Sequence, residues 1–128
     1  QGAISDYNKA IEINPQDAAA YSNRGVAKRK SGDTQGAIAD YTKAIKINPQ
    51  DADAYNNRGN AKSDLKDHQV AIFDYNKAIE LDPQLAPAYK NRGIAKELVG
   101  DLKGACADWK EASSLGDKDS AVWVRKQC

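Results

Sequence analysis

Apolar side chains recur along this chain at steps of three and four, not two. Ala37, Ile38, Tyr41, Ala44 and Ile45 make one stripe that stops before Pro49, the pattern of an amphipathic helix. Tyr21, Gly25 and Lys28 share another stripe, flanked by Ala20, Arg24 and Ala27, and follow Asp17, whose carboxylate can cap the first free amides. This predicts a second helix from about 18 to 31. Gly32-Asp33 separates the two, with Gly suited to a left-handed turn and Asp to capping the next helix. Gly100-Asp101 repeats the device, whereas Lys66-Asp67 replaces it in between, and Lys66 enters such a turn less easily. No alternating segment suggests a strand.

The helical pattern repeats every 34 residues. Asn14-Pro15 returns as Asn48-Pro49 and Asp82-Pro83; Asn23-Arg24-Gly25 returns as Asn57-Arg58-Gly59 and Asn91-Arg92-Gly93; Tyr7 returns as Tyr41, Tyr75 and the aromatic Trp109. Residues 18–51 and 52–85 share 19 identities in 34 ungapped positions. Such self-similarity marks a repeat architecture, in which each helix pair buries its apolar face against its neighbours. In this frame residues 1–14 are the second helix of a truncated unit, full units occupy 18–51, 52–85 and 86–119, and 119–128 begin a further first helix with Trp123 at its aromatic position. There Gln127 stands where Gly25 stands, as suits a capping helix that ends the stack. The absence of methionine and the initial Gln1 read as a fragment of a longer polypeptide, with Ile4, Tyr7 and Ile11 exposed at its amino end and self-association through that helix a risk.

Gly25, Gly59 and Gly93 lie inside helices, where Gly costs about 1 kcal/mol relative to Ala. Close approach of the partner helix through the equally periodic Ala37, Ala71 and Ala105 would offset that cost. Arg24, Arg58 and Arg92 recur in register with Asp6, Asp40, Asp74 and Asp108, which predicts that each Arg pairs with an Asp on a neighbouring second helix. The alternative is pairing along one helix, as Asp40 with Lys43.

With Tyr21, Gly25, Ala37, Tyr41, Ala44 and Pro49 in one unit and Tyr55, Gly59, Ala71, Tyr75, Ala78 and Pro83 in the next, the chain resembles the tetratricopeptide repeats. The third unit has Tyr89, Gly93, Ala105, Trp109 and Ala112, with Gly116-Asp117 in place of the closing Pro. The resemblance implies an all-α, right-handed superhelical solenoid of antiparallel helix pairs whose first helices line a concave, partner-binding face. On those helices the positions outside the packing stripe are Ser22, Val26, Arg29 and Lys30; Asn56, Asn60 and Ser63; and Lys90, Ile94 and Glu97. Asn23, Asn57 and Asn91 recur beside them, and amides suit the backbone of an extended peptide because they both donate and accept. Family members that hold an acidic chaperone tail use a clamp of Lys, Asn, Asn, Lys and Arg; here those places are Ser22, Val26, Asn57, Pro87 and Asn91, or, one unit on, Asn56, Asn60, Asn91, Ala121 and Arg125. The clamp lysines are lost in both registers. Arg29, Lys30 and Lys90 form a basic spot diluted by Asp53, Asp64 and Glu97.

Composition removes other functions. Nineteen basic against 18 acidic residues give a net charge of +1, which argues against nucleic acid as a partner. No apolar run suits a membrane span and this stretch carries no targeting signal, so the location stays unknown, with the cytoplasm slightly favoured. His68 is the one histidine, at a helix start where it reads as solvated; there is no catalytic relay, phosphate loop or metal set, and no cofactor is implied. Asp64 and Asp67 read as a solvated turn. Cys106 and Cys128 read as a buried thiol and a free terminal one, the alternative being a disulfide that fastens the cap and points to an oxidising compartment. The chain therefore reads as an interaction module, or alternatively as a spacer or self-association element.

Overall fold

The computed structural model describes residues 2–128, so Gln1 of the amino-terminal segment lies outside the described residues. Eight helices follow one another: α1 (Gly2–Ile13), α2 (Ala18–Lys30), α3 (Thr34–Ile47), α4 (Ala52–Asp64), α5 (His68–Leu81), α6 (Ala86–Leu98), α7 (Leu102–Ser114) and α8 (Lys118–Gln127). No strand occurs among the described residues. Each helix packs chiefly on its chain neighbours, and α2, α4 and α6 also touch one another in turn along one face. The result is an all-α right-handed solenoid of antiparallel helix pairs.

Local chemistry sets the boundaries. Asp17, Asp33, Asp51, Asp101 and Asp117 each accept a hydrogen bond from the amide three residues on, satisfying a donor that the first helical turn leaves open. Gly32 and Gly100 take the left-handed region at φ 95° and 93° between the two helices of a pair, and Gly116 takes it at 105° between the third unit and the cap. Lys66 takes it at φ 67°, where an L side chain costs about 1 kcal/mol or more.

The helix glycines answer to a different neighbour than the alanines. A Cβ on Gly25 would lie 2.7 Å from Cε1 of Tyr41, and one on Gly59 equally close to Tyr75; in the third unit Gly93 faces the indole of Trp109. The glycines thus make room for a ring from the paired second helix, not for Ala37, Ala71 or Ala105. Those alanines serve the next junction: Ala37 and Tyr41 cluster with Ala61 of the following unit, and Ala71 and Tyr75 with Ala95. The gap inside a pair accommodates a ring, and the gap between pairs is closed by small residues.

A buried ion cluster repeats in the same register. Arg24 grips Asp40 with Nε and Nη2 at 2.8 and 2.7 Å, and Lys28 joins at 3.2 Å. Arg58 with Lys62 does the same at Asp74, and Arg92 with Lys96 at Asp108. The Asp side chains are only 5–6% exposed. Pairing across helices therefore prevails over pairing along one, since a bidentate guanidinium satisfies both carboxylate oxygens at once. The remaining Arg nitrogen reaches back to the preceding unit, to Asn8, Thr42 or Asn76. Asp6 is exposed and has no such partner among the described residues.

Two ends depart from expectation. Ile4, Tyr7 and Ile11 are half-buried rather than exposed, because α1 lies against α2, and it is Ile13 that stands in solvent at 84%. Cys106 and Cys128 are joined in a disulfide across 22 residues, not left as separate thiols, because α8 folds back along α7 and brings their Cα atoms to 5.9 Å.

Candidate functional site

Helices α2, α4 and α6 lie side by side on one face, α8 continues the chain beyond α7, and the rings of Tyr41, Tyr75 and Trp109 from the second helices are buried beneath. Gly25 and Gly59 carry no side chain, so the buried rings of Tyr41 and Tyr75 pack directly against them and border hollows on this face. The first hollow, about 260 Å³, lies between Val26, Arg29, Lys30, Tyr41, Asn57 and Asp64. A smaller one, about 120 Å³, is lined by Arg29, Asn60, Ser63, Asp64, Tyr75, Asn91, Ile94 and Leu98. The third, about 310 Å³, lies between Ile94, Glu97, Trp109, Trp123 and Gln127. They follow one another from the first full unit to the cap.

Polar groups along this track largely hold one another. Arg29 forks onto Asp64 of the next unit, the Nη2 bond at 3.0 Å, and this neighbour holds the guanidinium above its usual pKa. The amide of Asn91 donates to Oδ1 of the buried Asn56 at 3.2 Å. The Tyr75 hydroxyl donates to Asn60 at 2.7 Å, and burial pushes its pKa up to about 12. Burial also raises Tyr41, against the opposing pull of Arg29. Lys90 bonds Asp119 at 2.8 Å, approaches Asp117 at 3.9 Å, and is raised by the Asp119 bond.

The predicted positions thus separate. Arg29, Lys30, Asn57, Asn60, Ser63, Asn91, Ile94, Val26 and Glu97 line the hollows. Asn56 lies beneath them, and Ser22 is half-buried with its hydroxyl sequestered and unpaired. The basic spot is not one: Arg29 and Lys90 are each matched by a carboxylate, leaving Lys30. Asp64 belongs to the face rather than to a solvated turn, and His68 is half-buried with Nδ1 3.4 Å from the Ser63 hydroxyl. Tyr41, Tyr75 and Trp109 lie outside the groove positions that the sequence singles out, although the constant 16-residue step from Gly25 to Tyr41, Gly59 to Tyr75 and Gly93 to Trp109 carries the signal; Trp123 and Gln127 stand at the aromatic and glycine registers of the cap.

No group of three or more His, Cys, Asp or Glu suited to a metal occurs among the described residues, and no helix is long and apolar enough to cross a membrane.

A stack of helix hairpins with a continuous lined inner face defines a solenoid interaction scaffold. The sequence profile described as TPR repeat matches residues 1–32 and 27–66, and the tetratricopeptide repeat profile matches 52–85. This chain belongs to the tetratricopeptide repeat family. Among solved structures it is similar to the Arabidopsis OM64 TPR domain, with 33% identity, 87% of this chain and 96% of that one covered, and a TM-score of 0.82. MamA matches with 30% identity over 92% of this chain and 69% of that one, TM-score 0.82. The first TPR of Spaghetti (RPAP3), bound to the HSP90 peptide SRMEEVD, matches with 29% identity over 87% and 90%, TM-score 0.82. No curated protein matches the sequence.

Proposed function

We propose that this chain binds an extended peptide or protein segment along its concave groove. The carrying observation is the run of hollows floored by Tyr41, Tyr75 and Trp109, with the Asn57 side chain lining the first of them and engaged by no other side chain among the described residues. An apolar floor with a few placed amides suits a peptide whose side chains enter the hollows while its backbone meets the amides. The RPAP3 domain bound to SRMEEVD supports a peptide as the kind of partner. An acidic tail held by a carboxylate clamp is not the ligand favoured here, since Ser22, Val26 and Pro87 stand at clamp positions.

Titration calorimetry against an array of extended peptides tests the reading. Asn57→Leu and Asn91→Leu, checked for folding by circular dichroism, should weaken a bound peptide about tenfold. Undiminished binding in both would remove the groove from the account.

One observation favours the alternative of a self-association element. Tyr7 is half-buried, whereas its counterparts Tyr41 and Tyr75 are 1% and 2% exposed. Concentration-dependent light scattering, abolished by Tyr7→Lys and accompanied by a groove indifferent to mutation, would select that reading.

A further inference from the structure

The hollow between the third unit and the cap differs in chemistry from the rest of the groove. Its walls are Ile94 and the partly exposed indole of Trp123, with the buried indole of Trp109 behind them, the two ring centroids 5.2 Å apart at 60°. Its rim carries Glu97, one turn beyond Ile94 on α6, exposed and without an ion-pair or hydrogen-bond partner among the described residues. Arg29 on this face is matched by Asp64, and Lys90 by Asp119. The first hollow holds Lys30, exposed and without an ion-pair partner among the described residues. Within the lining of the hollow at the cap, Glu97 is the one charged side chain.

Resting on the groove reading, we propose that this hollow takes a long cationic side chain, arginine or lysine, from the bound segment. An aliphatic stem lying on Ile94 and Trp123 removes apolar surface from water, while the charged head reaches the Glu97 carboxylate at the rim. A leucine would fill the walls but leave Glu97 partly desolvated, and an acidic side chain would meet a like charge. Lys90 does not occupy the role: it approaches the Trp123 ring at 5.7 Å, but its ammonium is drawn to Asp119 on the cap. Gln127, at the register that holds glycine in Gly25, Gly59 and Gly93, closes the outer wall, and the adjoining Cys128 bond to Cys106 fixes that wall to α7.

Trp109 and Trp123 are the chain's only tryptophans, so the walls of the hollow report on themselves. Nitrogen-15 NMR of their indole N–H signals, titrated with Nα-acetyl-arginine methylamide and with its neutral citrulline counterpart, tests the assignment with a single capped residue whose two amides are the same in both probes. The arginine probe should move the indole signals saturably and at least about threefold more tightly than citrulline, as expected for a partly exposed charge pair, and Glu97→Gln should erase the ratio. Indoles unmoved by arginine, equal titration by both probes, or a ratio that survives Glu97→Gln would overturn it. Peptide binding lost with Asn57→Leu but blind to Glu97→Gln would keep the groove and reject the slot; a slot that titrates while no peptide binds would do the reverse.

Discussion

Arg58 on α4 closes on Asp74 of α5 with two nitrogens, Nε at 2.9 Å and Nη2 at 2.8 Å, in a site where the carboxylate is only 6% exposed. Removing one partner of such a pair leaves a charge that water cannot reach. Arg58→Leu should destabilise the chain by about 2–3 kcal/mol, at the lower end for a buried pair because Lys62 still touches Asp74 at 3.0 Å. Urea unfolding measures this, and an unchanged or higher midpoint would contradict a stabilising role.

Arg29 and Asp64 make the same kind of fork in a different place, with side chains 39% and 36% exposed. Arg29→Gln should change stability by less than about 1 kcal/mol, and less still at high salt. Comparing the two arginine variants in one denaturant series isolates burial as the variable.

Gly59→Ala should destabilise by about 1–2 kcal/mol although Ala is the better helix former. The new methyl would lie 2.7 Å from Cε1 and 3.0 Å from Cδ1 of Tyr75, a ring that is 2% exposed and tethered through its hydroxyl to Asn60. Thermal unfolding that rises in the variant would mean that the ring has room to yield.

Burial raises Tyr75 to about 12, above the roughly 10 of an exposed phenol. A group whose folded pKa is raised contributes its full stability below the unfolded value and loses it as pH climbs through the folded one. Stability should therefore fall between about pH 10 and pH 12, by an amount of order 2 kcal/mol, and Tyr75→Phe should flatten that slope. Denaturant midpoints across this range, with phenolate absorbance following the tyrosines, give the comparison.

The Cys106–Cys128 bond secures α8, the ten-residue helix that carries Trp123. Denatured protein without reductant should show no free thiol, and Cys128→Ser should lower stability by about 3 kcal/mol while altering tryptophan fluorescence. Two reactive thiols per chain would count against the bond.

The fold was legible in the sequence because the 34-residue period makes each helix appear several times, and the Arg24–Asp40 register could be read from the same periodicity. The face was legible only in part. Asn57 and Glu97 follow from their place on the first helices, but Arg29 finds Asp64 and Asn91 finds Asn56 across 35 residues, contacts set by how one hairpin is rotated on the next. Ala37 and Gly25 illustrate the same division. Both are small and periodic, yet only the packing tells that one faces the next hairpin and the other faces Tyr41. The thiols required the path of α8, which composition does not encode.

The back-reaching nitrogen of each arginine has an implication for the array as a whole. Since Arg58 holds Asp74 in its own hairpin and Thr42 in the one before, opening a hairpin releases a tether on its predecessor. Such nearest-neighbour coupling turns separate modules into a zipper, so that heat should melt the stack as one cooperative length and not hairpin by hairpin.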